Sequence, residues 1–390
     1  MIIPVLEIIA YLAVGGPGIP AQQSGGGDPE IRFKKHVLST EYLSEGVAMG
    51  DVNKDGYMDV LAGTFWFDVK NGWKRHELTT PEINPSIGGY GNSFLNFSMD
   101  VNRDGWPDHL VVGFPGKEAY WYENNRGKTG HWRRHLLFHA VGNEAPLFED
   151  VDGDGRKDLI CSDPVNKKVV WLKAPDSGSG SWTPYTISSD SLLGTHHFTH
   201  GLGFGDVNLD GHPDVLIREG WWEGSAHPEK PDWKFHPADW GEECAQMYVL
   251  DVDLDGDQDV ISSSAHGYGI WWYEQIPDNN GAIRWKKHLI SDRVSQTHGL
   301  AMADINNDGH PDLITGKRFW AHNGGDPGAN DPAVLYWFEF RPGENPTWIP
   351  HRIDADSGVG LHLVTADFNG DGLTDIVIAN KKGVFVFEQL

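Results

Sequence analysis

The sequence predicts an all-β chain: a seven-bladed β-propeller with four strands per blade and an N-terminal strand closing the last blade. Three observations carry this. An Asp-rich segment of nine residues occurs seven times, at intervals of 49, 50, 56, 45, 53 and 63 residues, a period that suits blades of four short strands. Four strand patterns recur in phase with that segment. The fourth of them is missing after the last repeat and present before the first.

The elements follow in order within each repeat. An apolar run precedes the Asp segment (GVAM, LNFSM, GLGF, MYVL, GLAMA) and a second follows it at once (DVLAG, HLVVG, DLICS, DVLIR, DVISS, DLITG, DIVIA). The third is aromatic-rich, as in AYWYE, VVWLK, IWWYE, LYWFE and VFVFE, and short runs of this composition between turn residues read as strands. The fourth is an outer strand of the type WKRHEL at 73, WRRHLL at 132 or WKKHLI at 285, with only six copies. The missing copy is RFKKHVL at 32–38. Pairing it with the third strand of the last repeat would close a ring and remove the open edges of a linear array. One domain from 31 to 390 results. The histidine at one fixed place in the outer strands (His36, His76, His135, His236, His288, His351) then reads as a structural repeat residue.

The ends and the cysteines fit an exported protein. Residues 1–21 give a short apolar run and a Gly/Pro turn up to Ala21, which reads as a signal peptide, and 22–30 as a flexible linker. A secreted or periplasmic location is expected. Cys161 and Cys244 fall in non-adjacent repeats, so buried thiols are expected instead of a disulfide. No later segment has the 18 or so unbroken apolar residues of a spanning helix.

Charge is the most uneven feature. The chain of 390 residues has 31 Lys plus Arg against 56 Asp plus Glu, a formal net charge of -25. Without a basic run, this makes nucleic acid or an anionic membrane a poor partner. The seven Asp segments hold 24 of the acids and only four bases. Each supplies oxygen ligands at positions 1, 3, 5 and 9 with Gly at 6 for the sharp turn, the pattern of a Ca²⁺ loop. The candidate ligands are Asp51, Asn53, Asp55 and Asp59 in the first; Asp100, Asn102, Asp104 and Asp108; Asp150, Asp152, Asp154 and Asp158; Asp206, Asn208, Asp210 and Asp214; Asp251, Asp253, Asp255 and Asp259; Asp304, Asn306, Asp308 and Asp312; and Asp367, Asn369, Asp371 and Asp375 in the last. Up to one structural Ca²⁺ per blade is expected, against the plainer reading in which these side chains only cap a turn.

The pattern from AMGDVNKDGYMDVLAG to ADFNGDGLTDIVIA resembles FG-GAP or VCBS repeats, which also build the calcium-bearing propeller of integrin α chains. The size, the WxxH outer strands and the HGL segments resemble a narrower group: the propeller of aldos-2-ulose (1,5-anhydrofructose) dehydratases and the rhamnosyl-glucuronate lyases. That resemblance implies carbon–oxygen lyase chemistry on a sugar. No catalytic position is carried over from it.

Candidate site residues come from topology instead. The Asp segments occupy one face, so the opposite mouth of the central channel carries the loops leading into each first strand and those joining second to third. Six residues before each Asp segment stand Glu45, Phe94, Glu144, His200, Ala245, His298 and Leu361. His200 and His298 are candidates for base and acid, with Arg218, Lys317 and Arg318 for a substrate carboxylate or enolate. Tyr90, His196, His266, Gln246 and Lys381 are candidate substrate contacts, His322 adds to the basic sector, and Glu45 or Glu144 with the histidines could hold a further divalent metal. The expected activity is metal-assisted β-elimination on a uronate-containing glycan or keto sugar by a monomer. The alternatives are a calcium-stabilised propeller that only binds glycan or protein, and glycoside hydrolysis by Glu45 and Glu144.

Overall fold

Successive strands pair antiparallel with their sequence neighbours in the computed structural model, which describes residues 31–390 except 86, 179, 243–245 and 278–282. The predicted signal peptide and linker and Cys244 lie outside the described residues. One sheet shows the plan: Leu95–Met99, Asp108–Val112, Lys117–Glu123 and Arg133–Val141 lie side by side in that order. The Asp segment 100–108 connects the first two, with Met99 opposite Asp108. Burial follows from this order. Every residue of Asp108–Val112 is buried, whereas the outer strand begins exposed. The only helical element among the described residues is a short 3₁₀ turn, Ala321–Gly324.

The blade count differs from the prediction of seven separate sheets. Five sheets have four strands each, and the remaining eight strands form a single eight-stranded sheet. Its two halves join where Leu202–Gly205 and Gln246–Leu250 pair in parallel, Leu202 opposite Gln246 and Gly203 opposite Met247. The physical reason lies in the segment GLGFG. A Cβ at Gly203 would stand 2.8 Å from Met247 Cβ, and one at Gly205 2.6 Å from Val249 Cβ. Two inner strands thus approach to hydrogen-bonding distance only because one of them lacks side chains there.

The closure is as the offset outer strand predicts. Phe33–Ser39 runs antiparallel to Gly383–Gln389, with His36 opposite Val386, and the sheet continues through Asp375–Asn380 to Leu363–Ala366. The first strands of the repeats surround a channel of about 480 Å³, lined among others by Met49, Phe97, Phe148, Met247, Leu300 and Val364.

Two side-chain devices recur from unit to unit. The ninth residue of the Asp segment is buried and clips loop to sheet: Asp108 accepts from the backbone N–H of Val101 (2.9 Å) and of Asn124 (2.8 Å). Asp214, Asp259, Asp312 and Asp375 do the same in their units. Burial pushes the Asp108 and Asp214 carboxyls up to about 7. In the outer strand, His135 stacks on Trp121 (4.4 Å between centroids) and its Nε2 lies 2.8 Å from Glu123. His236 repeats this on Trp221 and Glu223, and His351 on Trp337 and Glu339. These contacts give the WxxH histidines a packing role.

Candidate metal centre at the mouth of the channel

The loops that lead into first strands and leave second strands converge at the end of the channel away from the Asp segments. Glu144 and His298 stand three and two residues before the strands Leu147–Glu149 and Leu300–Ala303. His200 precedes Leu202–Gly205 by two, and His322 comes from the loop after Asp312–Gly316. One donor atom from each of Glu144, His200, His298 and His322 lies within 4.8 Å of all the others. His200 Nε2 is 3.5 Å from Glu144 Oε2, and the His200 and His298 rings are 5.4 Å apart. Glu144, His200 and His298 are buried and form the floor, and the His322 side chain, 29 % exposed, faces the opening.

The protonation pattern suits a cation. His298 Nδ1 lies 3.2 Å from the Gln296 carbonyl, an oxygen that can only accept, so Nδ1 carries the proton. Nε2 is then a bare lone pair, buried and without a hydrogen-bond partner. Burial first, and the Arg318 charge second, hold this imidazole well below its usual range, in the neutral form that ligates metal. Three imidazoles and one carboxylate suit a zinc-like divalent ion better than calcium.

Arg318 sits behind the floor. It is fully buried, 3.4 Å from Glu45 through Nε and 3.3 Å from Glu144 through Nη1. Burial alone would lower its pKa, yet Glu45 and Glu144 hold it above the usual arginine range. Glu45 also accepts from the Tyr42 hydroxyl at 2.8 Å, so it belongs to the Arg318 network and not to the four-donor cluster. Tyr90 lies under two cations, Lys381 Nζ at 3.9 Å and Arg318 at 5.6 Å from its ring centre. Its hydroxyl accepts the backbone N–H of His322 at 2.9 Å. Lys381 donates to the carbonyls of Ile87 (3.0 Å) and Trp320 (3.2 Å).

The other candidates spread out. His266 stacks on His322 with centroids 4.5 Å apart and approaches Asp326 at 3.6 Å, so it joins the mouth. Gln246 bridges the inner strands, donating to the Leu361 carbonyl and accepting from Leu300 N–H, both at 3.0 Å. Lys317 is buried beside Arg318, its amine 3.4 Å from the Arg318 carbonyl and pushed down by burial. Arg218 pairs with Glu219 at 2.9 Å, both about two-fifths exposed. His196 is exposed and contacts Thr199. Sequence reasoning placed His322 only in a basic sector and missed Asp326 and Tyr42. His322 is delivered by left-handed backbone at Trp320, His322 and Asn323 (φ 56°, 47° and 54°), which no spacing rule reveals.

The Asp segments on the other face are closed by hydrogen bonds from their own backbone to their Asp and Asn side chains. Asp100 accepts from Asp104 N–H (3.0 Å) and Gly105 N–H (2.7 Å), and Asn102 from Asp104 N–H (3.0 Å). Oxygens of Asp150, Asp152 and Asp158 converge within 4.8 Å, as do those of Asp251, Asp253 and Asp255. In the third segment the Lys173 ammonium already contacts Asp152 and Asp154.

These features define an all-β propeller that carries FG-GAP repeats. An FG-GAP-like repeat model matches residues 100–161, 150–217 and 251–315, and an FG-GAP repeat model matches 359–384. The T-cell immunomodulatory protein of Mus musculus is 28% identical over 142 residues, covering 30% of this chain and 23% of that protein. The chain thus spans about a quarter of that curated relative. YCF48 from Cyanidioschyzon merolae shares the fold at TM-score 0.50 and 12% identity, over 92% of this chain and 98% of that one. Rhamnogalacturonan lyase YesW superposes at TM-score 0.47 and 14% identity, over 91% of this chain and 72% of that one, too distant to carry an argument about activity. None of these likenesses supports the narrower resemblance to dehydratases or rhamnosyl-glucuronate lyases.

Proposed function

We propose that the protein is an exported, monomeric carbohydrate lyase or dehydratase whose site is the Glu144–His200–His298–His322 cluster. The observation that carries this reading is the convergence of four metal-competent side chains at the mouth, with a fully buried arginine behind them. Divalent metal bound there would act as a Lewis acid toward a carboxylate or carbonyl oxygen of a uronate or keto sugar. His200 and His298, read from the sequence as base and acid, serve in this proposal as ligands. His266, half-buried at the opening, is left as the imidazole that takes or returns the proton, and Arg318 pairs with Glu144 from behind. The eight-stranded sheet is read here as two blades whose inner strands have joined, which gives a ring of seven. The Asp segments are read as structural calcium loops, the third weakened by Lys173.

The test is incubation with glucuronate-containing polysaccharides and with 1,5-anhydrofructose. An ultraviolet-absorbing unsaturated product that disappears in the His200→Ala/His298→Ala protein, with an unchanged melt, supports elimination. Reducing sugar without absorbance points to hydrolysis. Glycan retention without either product favours the binding propeller, a second reading that the FG-GAP match accommodates because a repeat match supports the fold and not the chemistry carried on it. Chelator would lower the melting temperature sharply if the Asp segments hold calcium; an unchanged melt with no calcium on elemental analysis overturns that part.

A further inference from the structure

We propose that Asp326 is the outer carboxylate of this centre, a positioning residue that fixes His322 and steadies His266, and not a ligand of a second metal. The inference rests on the metal reading of the cluster and goes beyond it in setting one metal as the capacity of the mouth.

Two overlapping groups meet there and share His322. Besides the four-donor cluster, His266, His322 and Asp326 bring donor atoms within 4.8 Å of one another. Distances separate a ligand from a support. Asp326 Oδ2 is 2.6 Å from His322 Nδ1. Two tetrahedral ligands, each about 2.1 Å from one zinc ion, stand roughly 3.4 Å apart. A separation of 2.6 Å is a hydrogen bond with no room for an ion on both atoms. The same Oδ2 also accepts from Gln296 Nε2 at 3.0 Å, and His266 Nδ1 approaches it at 3.6 Å. Donors surround this oxygen, and a cation would have to displace them.

The hydrogen bond has a consequence at the other end of the ring. A histidine that gives its Nδ1 proton to a carboxylate presents Nε2 as a lone pair and cannot rotate freely. The backbone beneath it is strained, with left-handed φ at Trp320, His322 and Asn323. Three contacts hold the loop in that state: Tyr90 on the His322 N–H, Lys381 on the Trp320 carbonyl, and Asp326 on the ring itself. Only the last sets which nitrogen faces the cluster.

The experiment uses the full chain with Zn²⁺ and Co²⁺ alone. Metal content, affinity by calorimetry and the Co²⁺ absorption spectrum are compared among the unchanged protein, Asp326→Ala, Asp326→Asn and His266→Gln. One Zn²⁺ or Co²⁺ per chain, beyond any calcium kept on the Asp segments, is expected in all four. Affinity falls about 10- to 100-fold in Asp326→Ala, less in Asp326→Asn, whose amide oxygen still accepts from Nδ1, and less than about threefold in His266→Gln. Two Zn²⁺ or Co²⁺ per chain, one lost in Asp326→Ala, would overturn the proposal. Equal affinity in Asp326→Ala overturns it while leaving the centre standing, whereas an unchanged protein that binds neither ion overturns both. If Asp326→Ala fails to fold, nitrogen-resolved NMR of the metal-free protein decides: a His322 proton on Nδ1 supports the assignment, and one on Nε2 refutes it.

Discussion

The backbone N–H of His322 donates to the hydroxyl of Tyr90 at 2.9 Å. One residue comes from the loop leading into Leu95–Met99 and the other from the loop after Asp312–Gly316, so the contact ties two distant repeats across the mouth. Tyr90→Phe removes the acceptor and keeps the ring under Lys381. A lost hydrogen bond of this kind costs about 1 kcal/mol. Zinc affinity is expected to fall about fivefold with little change in melting temperature; a variant that binds as tightly as the parent would show that the tether does not set the loop.

Arg318 has the opposite signature, one of stability. Arg318→Met leaves Glu45 and Glu144 buried without their counter-charge, and breaking a buried pair from one side costs about 3–5 kcal/mol. A large drop in the urea midpoint is expected, partly restored by adding Glu45→Gln. A midpoint within the error of the parent would mean that Arg318 is dispensable to the core.

The joined sheet depends on missing side chains. Gly205→Ala places a Cβ 2.6 Å from Val249 Cβ, where overpacking costs about 1–3 kcal/mol. The melt should drop and the amide of Met247 should exchange faster. Gly89→Ala, where nothing stands within 4 Å, is the control and should be near neutral.

Cys161 is fully buried, and burial pushes its thiol well above the ordinary range. Peptide mapping after maleimide treatment should find it unmodified in the native protein and modified once denaturant is added. Rapid native labelling would contradict the packing around Asp158–Asp163.

Acid sensitivity follows from the outer-strand pairs. Glu223 is held below the usual carboxylate range by His236 and then Lys234; Glu388 is held down by His36 against opposing burial, with Lys34 adding to it. A carboxylate with a lowered folded pKa stabilises the fold above its unfolded value near 4.5, and that gain is lost as pH falls further. Both side chains are about a quarter exposed, so each contributes no more than about 1 kcal/mol. The melting-temperature gap between the parent and Glu223→Gln/Glu388→Gln should be open at pH 7 and closed near pH 3. A gap that persists in acid would assign the effect to packing.

The sequence exposes the fold wherever a residue's role repeats. The pairing of 32–38 with the last repeat and a structural role for the outer-strand histidines can be anticipated because each copy informs the others, whereas the clip that Asp108 makes to two backbone N–H groups cannot, since its spacing reads equally as a cation ligand. The floor of the candidate centre is legible for a related reason: Glu144, His200 and His298 share one register position, six residues before an Asp segment. What breaks the repeat is hidden. His322 and Asp326 lie in an unrepeated loop whose left-handed backbone decides where the ring goes, so only coordinates bring them to the cluster. Gly203 and Gly205 likewise read as ordinary small inner-strand residues until the neighbouring strand is placed against them.

The pairing of Phe33–Ser39 with Gly383–Gln389 also sets a timetable. Phe33–Ser39 is made long before the strand it pairs with, Gly383–Gln389. At roughly 5–20 residues per second, the intervening residues take on the order of 20 to 70 seconds to emerge. For that interval the nascent chain has an uncapped sheet edge at its growing end and a lone strand with no place to dock. Completion of this sheet is therefore gated by the arrival of Gly383–Gln389, and anything that must shield the open edge has to act during synthesis.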